Sequence, residues 1–159
     1  MKDLPKRKLN RLHNYDYTQT GAYFVTICTK DMKWLFGNID DGTMTLNDNG
    51  SIADNELMKI PSHFTGVKLC NHIVMPNHVH LIIVIAATDA ASGAPTVTIG
   101  NIIRGYKAGV SRLVGFSPWQ RNYHDHVIRN QEDYNRIAEY IENNPARWAE
   151  DRYNDRYNK

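Results

Sequence analysis

Cysteine is nearly absent: Cys28 and Cys70 stand far apart, with neither CxxC nor zinc-ribbon spacing. A disulfide framework and a cysteine-built zinc site are not expected, and each thiol, set in an apolar strand-like run, reads as a reduced core residue. Long hydrophobic runs are missing too. The longest, LIIVIAA at 81–87, falls far short of the roughly 20 apolar residues a spanning helix needs, so no membrane protein is expected. The charged start MKDLPKRKLNR leads into no apolar segment with a cleavage site and does not read as a secretory signal. A cytoplasmic protein is expected. Neither sign of charge dominates, the formal net charge being +2, and no internal repeat is found.

What is there fits one domain: 159 residues, 42% hydrophobic and 23% charged, are enough to bury a core. The basic residues are uneven, with Lys2, Lys6, Arg7, Lys8 and Arg11 crowded at the start. That crowding predicts an arm over 1–12 that either touches phosphate or is simply solvated. A single domain over 13–150 and a tail over 151–159 follow. GAYFVTICTK (21–30) alternates as a strand, and WLFGNI and GTMTL around DDG form a hairpin. DNGSIADNELMKIPS predicts a helix capped by Asp48 or Ser51 and closed before Pro61. VKLCNHIVM (67–75) and the run from His78 form two strands joined at Pro76-Asn77, and 86–98 reads as a loop. A helix from Ile99 shows the stripe Ile99, Ile102, Ile103, Tyr106, Val110, Leu113, Val114, with Arg104 and Lys107 away from it. Residues 118–130 read as a last strand and QEDYNRIAEYIENNP as a last helix ended by Pro145. The order reduces to βαββαβ. It predicts an α+β, ferredoxin-like (split βαβ) fold: an antiparallel sheet with helices on one face, an inserted hairpin and a C-terminal helix.

Chemistry enters at MPNHVHLIIVI (75–85). Strand alternation sends His78 and His80 to one face with Ile82 and Val84, and Val79, Leu81, Ile83 and Ile85 to the other. Two imidazoles on one side of a stiff strand can close on a cation, or can be hydrogen-bonded histidines at a sheet edge. Seven histidines in a chain of this length give about 0.3 HxH pairs by chance. This sequence has two, the second being His124 and His126. On the last helix, at about 100° per residue, Ile137, Ala138 and Ile141 form the apolar stripe while Tyr140 falls off it. Asn144, one turn on, shares the side of Tyr140, so a hydroxyl and an amide project together.

MPNHVHLI, WQRNYHDHVIRN and AEYIENNP, in this order and at these separations, resemble the REP-associated tyrosine transposases of the single-tyrosine HUH transposase and nuclease superfamily. YDYTQTGAYFVTICT resembles one branch of it, and the likeness runs from about residue 10 to 150. The resemblance implies that His78 and His80 are the paired metal ligands, Tyr140 the nucleophile carried by the last helix, and Asn144 the third ligand, where insertion-sequence relatives usually have glutamine. Two-tyrosine relatives differ: Tyr134 lies six residues from Tyr140 at another angle, so a one-tyrosine mechanism fits.

The implied activity is cleavage of single-stranded DNA beside a hairpin, through a 5′-phosphotyrosine that the 3′-OH of another strand can reverse. Mg²⁺ or Mn²⁺ would polarise the phosphate, and imidazole ligands favour Mn²⁺. DNA contacts are expected from Lys6 and Arg7 in the arm, from Arg104 and Lys107 on the basic helix face, and from Trp119, Arg121, His126 and Arg129 around the last strand. Trp119 beside Pro118 also suits packing. The implied partner is hairpin DNA with a single-stranded flank, met by a monomer or a homodimer, with no membrane. Two competing readings remain: a hairpin-binding module that does not cut, and a metal hydrolase using activated water without Tyr140.

Overall fold

Alternating β-branched and aromatic residues extend the chain as β1 (Gly21–Cys28). A hairpin follows, β2 (Gly37–Asp40) and β3 (Thr43–Leu46). Its two-residue turn has φ of 50° at Asp41 and 74° at Gly42. Positive φ at both positions is the turn whose twist matches paired strands, and Gly42 adopts it without a Cβ penalty. The computed structural model describes residues 21–86 and 97–154, so the expected arm and most of the expected loop lie outside the described residues.

Helix α1 (Asp48–Met58) is capped by Asn47, whose side-chain oxygen accepts from the Gly50 amide at 2.9 Å. Neither Asp48 nor Ser51 plays that part. As expected, α1 ends before Pro61, yet helix resumes around this proline. It sits in the first turn of a short second helix, α2 (Ile60–His63), where a missing N–H costs nothing. Strands β4 (Val67–Met75) and β5 (His78–Ile85) pair antiparallel across Pro76-Asn77, as expected, with a bulge between Leu69 and His72. Helix α3 (Ile99–Val114) starts at a Thr98 cap and ends at Gly115 in the left-handed region. Its expected stripe holds except at Leu113, which is 49% exposed.

The last strand is shorter than predicted. Only His124–Ile128 forms β6; ahead of it Pro118 brings no ladder donor, and Trp119 makes just an isolated bridge to Thr29. Helix α4 (Gln131–Asn143) begins at Asn130, which accepts from the Asp133 amide at 2.8 Å.

The main sheet is antiparallel in the order β4-β5-β1-β6, the ferredoxin-like arrangement. One face buries Tyr23, Val25, Ile27, Leu81 and Ile83 against Ala53 and Leu57 of α1 and Ile102, Ile103 and Val110 of α3. The other buries Phe24, Ile82 and Ile128 against Ile137 and Ile141 of α4. Because both faces are covered, β5 can be apolar on both sides. Among the described residues no helix is long and apolar enough to cross a membrane.

Candidate active site

His78 opens β5 immediately after the turn, and alternation carries it and His80 to the α4 face with Ile82. Both are fully buried, and their ring centroids lie 4.4 Å apart. Their orientations come from two neighbours that sequence reading missed. The Asn77 side-chain NH₂ donates to the Tyr153 carbonyl at 2.6 Å and to the Met32 carbonyl at 3.3 Å. Two acceptors there turn the Asn77 amide oxygen toward His78 Nδ1, 2.8 Å away. An amide oxygen can only accept, so Nδ1 carries the proton and Nε2 the lone pair. On β1, the cross-strand partner of His80 is Thr26, whose hydroxyl lies 2.8 Å from His80 Nδ1.

Helix α4 then brings in the tyrosine. Tyr140, off the apolar stripe as predicted, stands with its ring centroid 5.3 Å from that of His80 and edge-on to Phe24 at 6.2 Å. Burial pushes its phenol well above the usual value, and the charge of Asp151 and the nearby Tyr153 push the same way; Arg152 and a hydrogen bond with Asn144 oppose them. Asn144 is 2% exposed. Its amide nitrogen donates to Asp151 at 2.8 Å, while its Oδ1, also buried, has no hydrogen-bond partner among the described residues.

The segment read from sequence as a tail is part of this site. After a short turn at Trp148–Glu150, the chain folds back so that the Tyr153 ring lies on His78 at 4.4 Å, with Trp148 at 6.0 Å. Asp151 accepts from the Tyr153 amide at 2.7 Å, and Asn154 donates to the Trp148 carbonyl at 2.9 Å. Residues 148–154 thus form a strap that covers the histidine pair. Nothing in ARWAEDRYN signals it, since no apolar period or turn dipeptide marks the stretch.

The expected DNA contacts fare unevenly. Trp119 is 6% exposed, packs on Phe36 and Tyr106, and donates its indole N–H to the Lys107 carbonyl at 3.2 Å; it is a core residue. Lys107 is not on a free basic face. Its ammonium donates to the carbonyls of Gln120, Asn122 and Arg121 at 2.8, 3.2 and 3.5 Å, and burial lowers its pKa. His126 joins β6 to α4 through Asp133 at 2.8 Å and is not brought to His78 and His80. Arg104 is exposed on α3, across the sheet from the histidines; Arg121 and Arg129 are exposed. Lys6 and Arg7 lie outside the described residues.

No protein-family model matches the chain. An uncharacterized protein of Haemophilus influenzae is 38% identical over 164 residues, covering 91% of each chain. Among solved structures, a REP-associated tyrosine transposase bound to a REP hairpin aligns with a TM-score of 0.66 at 20% identity, over 87% of this chain and 74% of that one. A candidate transposase from Deinococcus radiodurans R1 aligns at 0.50 and 18% identity, over 84% and 96%. The fold is thus the α+β fold of these transposases.

Proposed function

The chain belongs to the family of that Haemophilus influenzae protein, and from this premise and the transposase fold we propose a single-stranded DNA endonuclease and strand transferase acting beside DNA hairpins. The observation that carries the reading is Tyr140, set 5.3 Å from His80 on the face that His80 shares with His78.

Among the described residues no three His, Cys, Asp or Glu side chains cluster, so a cation here would need a donor of another type. Asn144 fits: its buried Oδ1 has no hydrogen-bond partner among the described residues, while its nitrogen is held by Asp151. With His78 Nε2 and His80 Nε2, opposite their anchored Nδ1 atoms, it makes two neutral imidazoles and an amide oxygen, a set suited to Mn²⁺ and tolerable to Mg²⁺. When bound, such a cation polarises a phosphate and makes a nearby phenol more acidic. Tyr140 needs that help, because a phenol is a poor nucleophile near neutral pH and burial raises its pKa further. The Tyr140 oxygen attacks phosphorus and gives its proton to solvent, the P–O bond to the 3′ oxygen breaks and that oxygen takes up a proton in return, so a 5′-phosphotyrosine and a 3′-OH result. The ester conserves the bond, so another strand's 3′-OH can reverse the step.

The test is incubation with hairpin-tailed single-stranded DNA and Mn²⁺. A denaturant-resistant protein–DNA adduct is expected, and Tyr140→Phe should abolish it; an adduct unchanged in that variant would reassign the nucleophile. One observation favours a second reading, a hairpin binder that does not cut: both histidines are fully buried beneath Tyr153 and Trp148. That reading expects salt-sensitive hairpin binding and no adduct with any metal.

A further inference from the structure

Lys107 is an unusual lysine for a nucleic-acid-binding protein, because its three donors are spent on the backbone of one loop. That loop, residues 116–122, is pinned from Pro118 to Asn122. Trp119 is buried and bonded to the Lys107 carbonyl; Lys30 donates to the Pro118 carbonyl at 2.8 Å, and Gln120 to the Cys28 carbonyl at 2.9 Å. Lys107 then holds the carbonyls of Gln120, Arg121 and Asn122.

The backbone is anchored, yet several side chains point outward. Arg121 and Asn122 are exposed, and Phe116 is 46% exposed. The Arg121 guanidinium makes no ion pair or hydrogen bond to another described residue. The loop is also well placed. Gln120 bonds to Cys28, and Cys28 pairs with His78. Two strand spacings, about 10 Å, therefore separate the Gln120 backbone from the start of the histidine strand.

A guanidinium and an exposed aromatic ring on a rigid backbone are the two parts of a single-stranded nucleic-acid contact, one for phosphate and one for base stacking. We infer that the 116–122 loop is a preorganised platform for the single strand beside the site, with Arg121 on phosphate, Phe116 against a base, and Lys107 as its positioning residue. The inference rests on the DNA reading above, but not on cleavage.

The experiment is fluorescence anisotropy with a hairpin-tailed single-stranded oligonucleotide across a KCl series. Each phosphate contact contributes about 0.7 to the slope of log affinity against log salt on single strands. Arg121→Ala should lower the slope by about 0.7. Phe116→Ala should weaken binding about tenfold with the slope unchanged. Lys107→Met should weaken binding, yet added to Arg121→Ala it should lower the slope no further. A further fall of about 0.7 in that double variant would make Lys107 itself a phosphate contact and overturn its positioning role. A wild-type slope in Arg121→Ala would overturn the platform, whether or not Lys107→Met folds. Loss of adduct with binding intact would sink the transferase alone, whereas a wild-type protein with no salt-dependent binding would sink both.

Discussion

Asn77 orients more of this candidate site than any other single side chain outside the proposed donor set. It is fully buried, and its amide is satisfied from both ends: two carbonyls take its NH₂ and His78 Nδ1 takes its oxygen. It therefore sets the tautomer of His78 and tethers Tyr153 at once. Groups that orient a ligating imidazole in this way typically account for about 10–100-fold in metal affinity. Asn77→Ala should weaken Mn²⁺ binding by that factor in calorimetry, and unchanged affinity would remove His78 from the donor set. The directions of His78, His80 and Tyr140 were legible in the sequence because strand alternation and helix period constrain them. The contact from Asn77 to Tyr153 was not. It depends on an amide's orientation and on a fold-back across 76 residues, which no local period encodes.

At the level of elements, α4 is held by apolar contacts and by polar anchors at the sheet edges. Asn71, in the β4 bulge, accepts from the Tyr134 hydroxyl at 3.1 Å and donates to Glu142 at 3.3 Å. From β6, His126 reaches Asp133, which also pairs with Arg136. Burial pushes the Asp133 carboxyl upward, but its hydrogen bonds with His126 and Arg136 outweigh that and leave it below the ordinary value. A carboxyl lowered in the folded state stabilises above its unfolded pKa of about 3.9, and the contribution disappears as pH falls through the folded value. The wild-type urea midpoint should therefore exceed that of Asp133→Asn near neutral pH and converge on it in acid; a constant gap would sink the anchor. Elements read best where capping and period agree, as in α4. The end of the first helix before Pro61 was read correctly, but the short helix that this proline opens was not, and reading failed at 118–123, where proline and a buried tryptophan replaced strand pairing. Lys107 was misread for a related reason: its place off the helical stripe gives direction, not what lies beside it.

For the whole molecule, the two faces of the sheet are unequal. Among the described residues, the α1 and α3 face joins twenty buried residues in one cluster, from Tyr23 to Val127, whereas the α4 face joins five, Phe24, Ile82, Ile128, Ile137 and Ile141. The βαββαβ order was readable because each strand and helix carried its own period. This imbalance was not, because it depends on which face each helix covers. Its consequence is a division of stability. Buried apolar surface sets how much free energy an element's opening must overcome, so the thinner layer opens at lower cost than the thicker one. Tyr140 and Asn144 belong to that thin layer, and the strap reaches it through the bond from Asn144 to Asp151. Native-state hydrogen exchange in low urea should show the amides of residues 135–143 exchanging through an opening of lower free energy and smaller urea dependence than those of β1 and β5. The latter should exchange only with global unfolding. Ile141→Ala, which removes a core side chain from the thin layer, should lower the α4 opening free energy by about 2–5 kcal/mol. A single shared opening for α4 and β1 would make the two layers one cooperative unit. Distinct openings would show that the tyrosine helix can separate from the histidine strand while the rest of the fold persists.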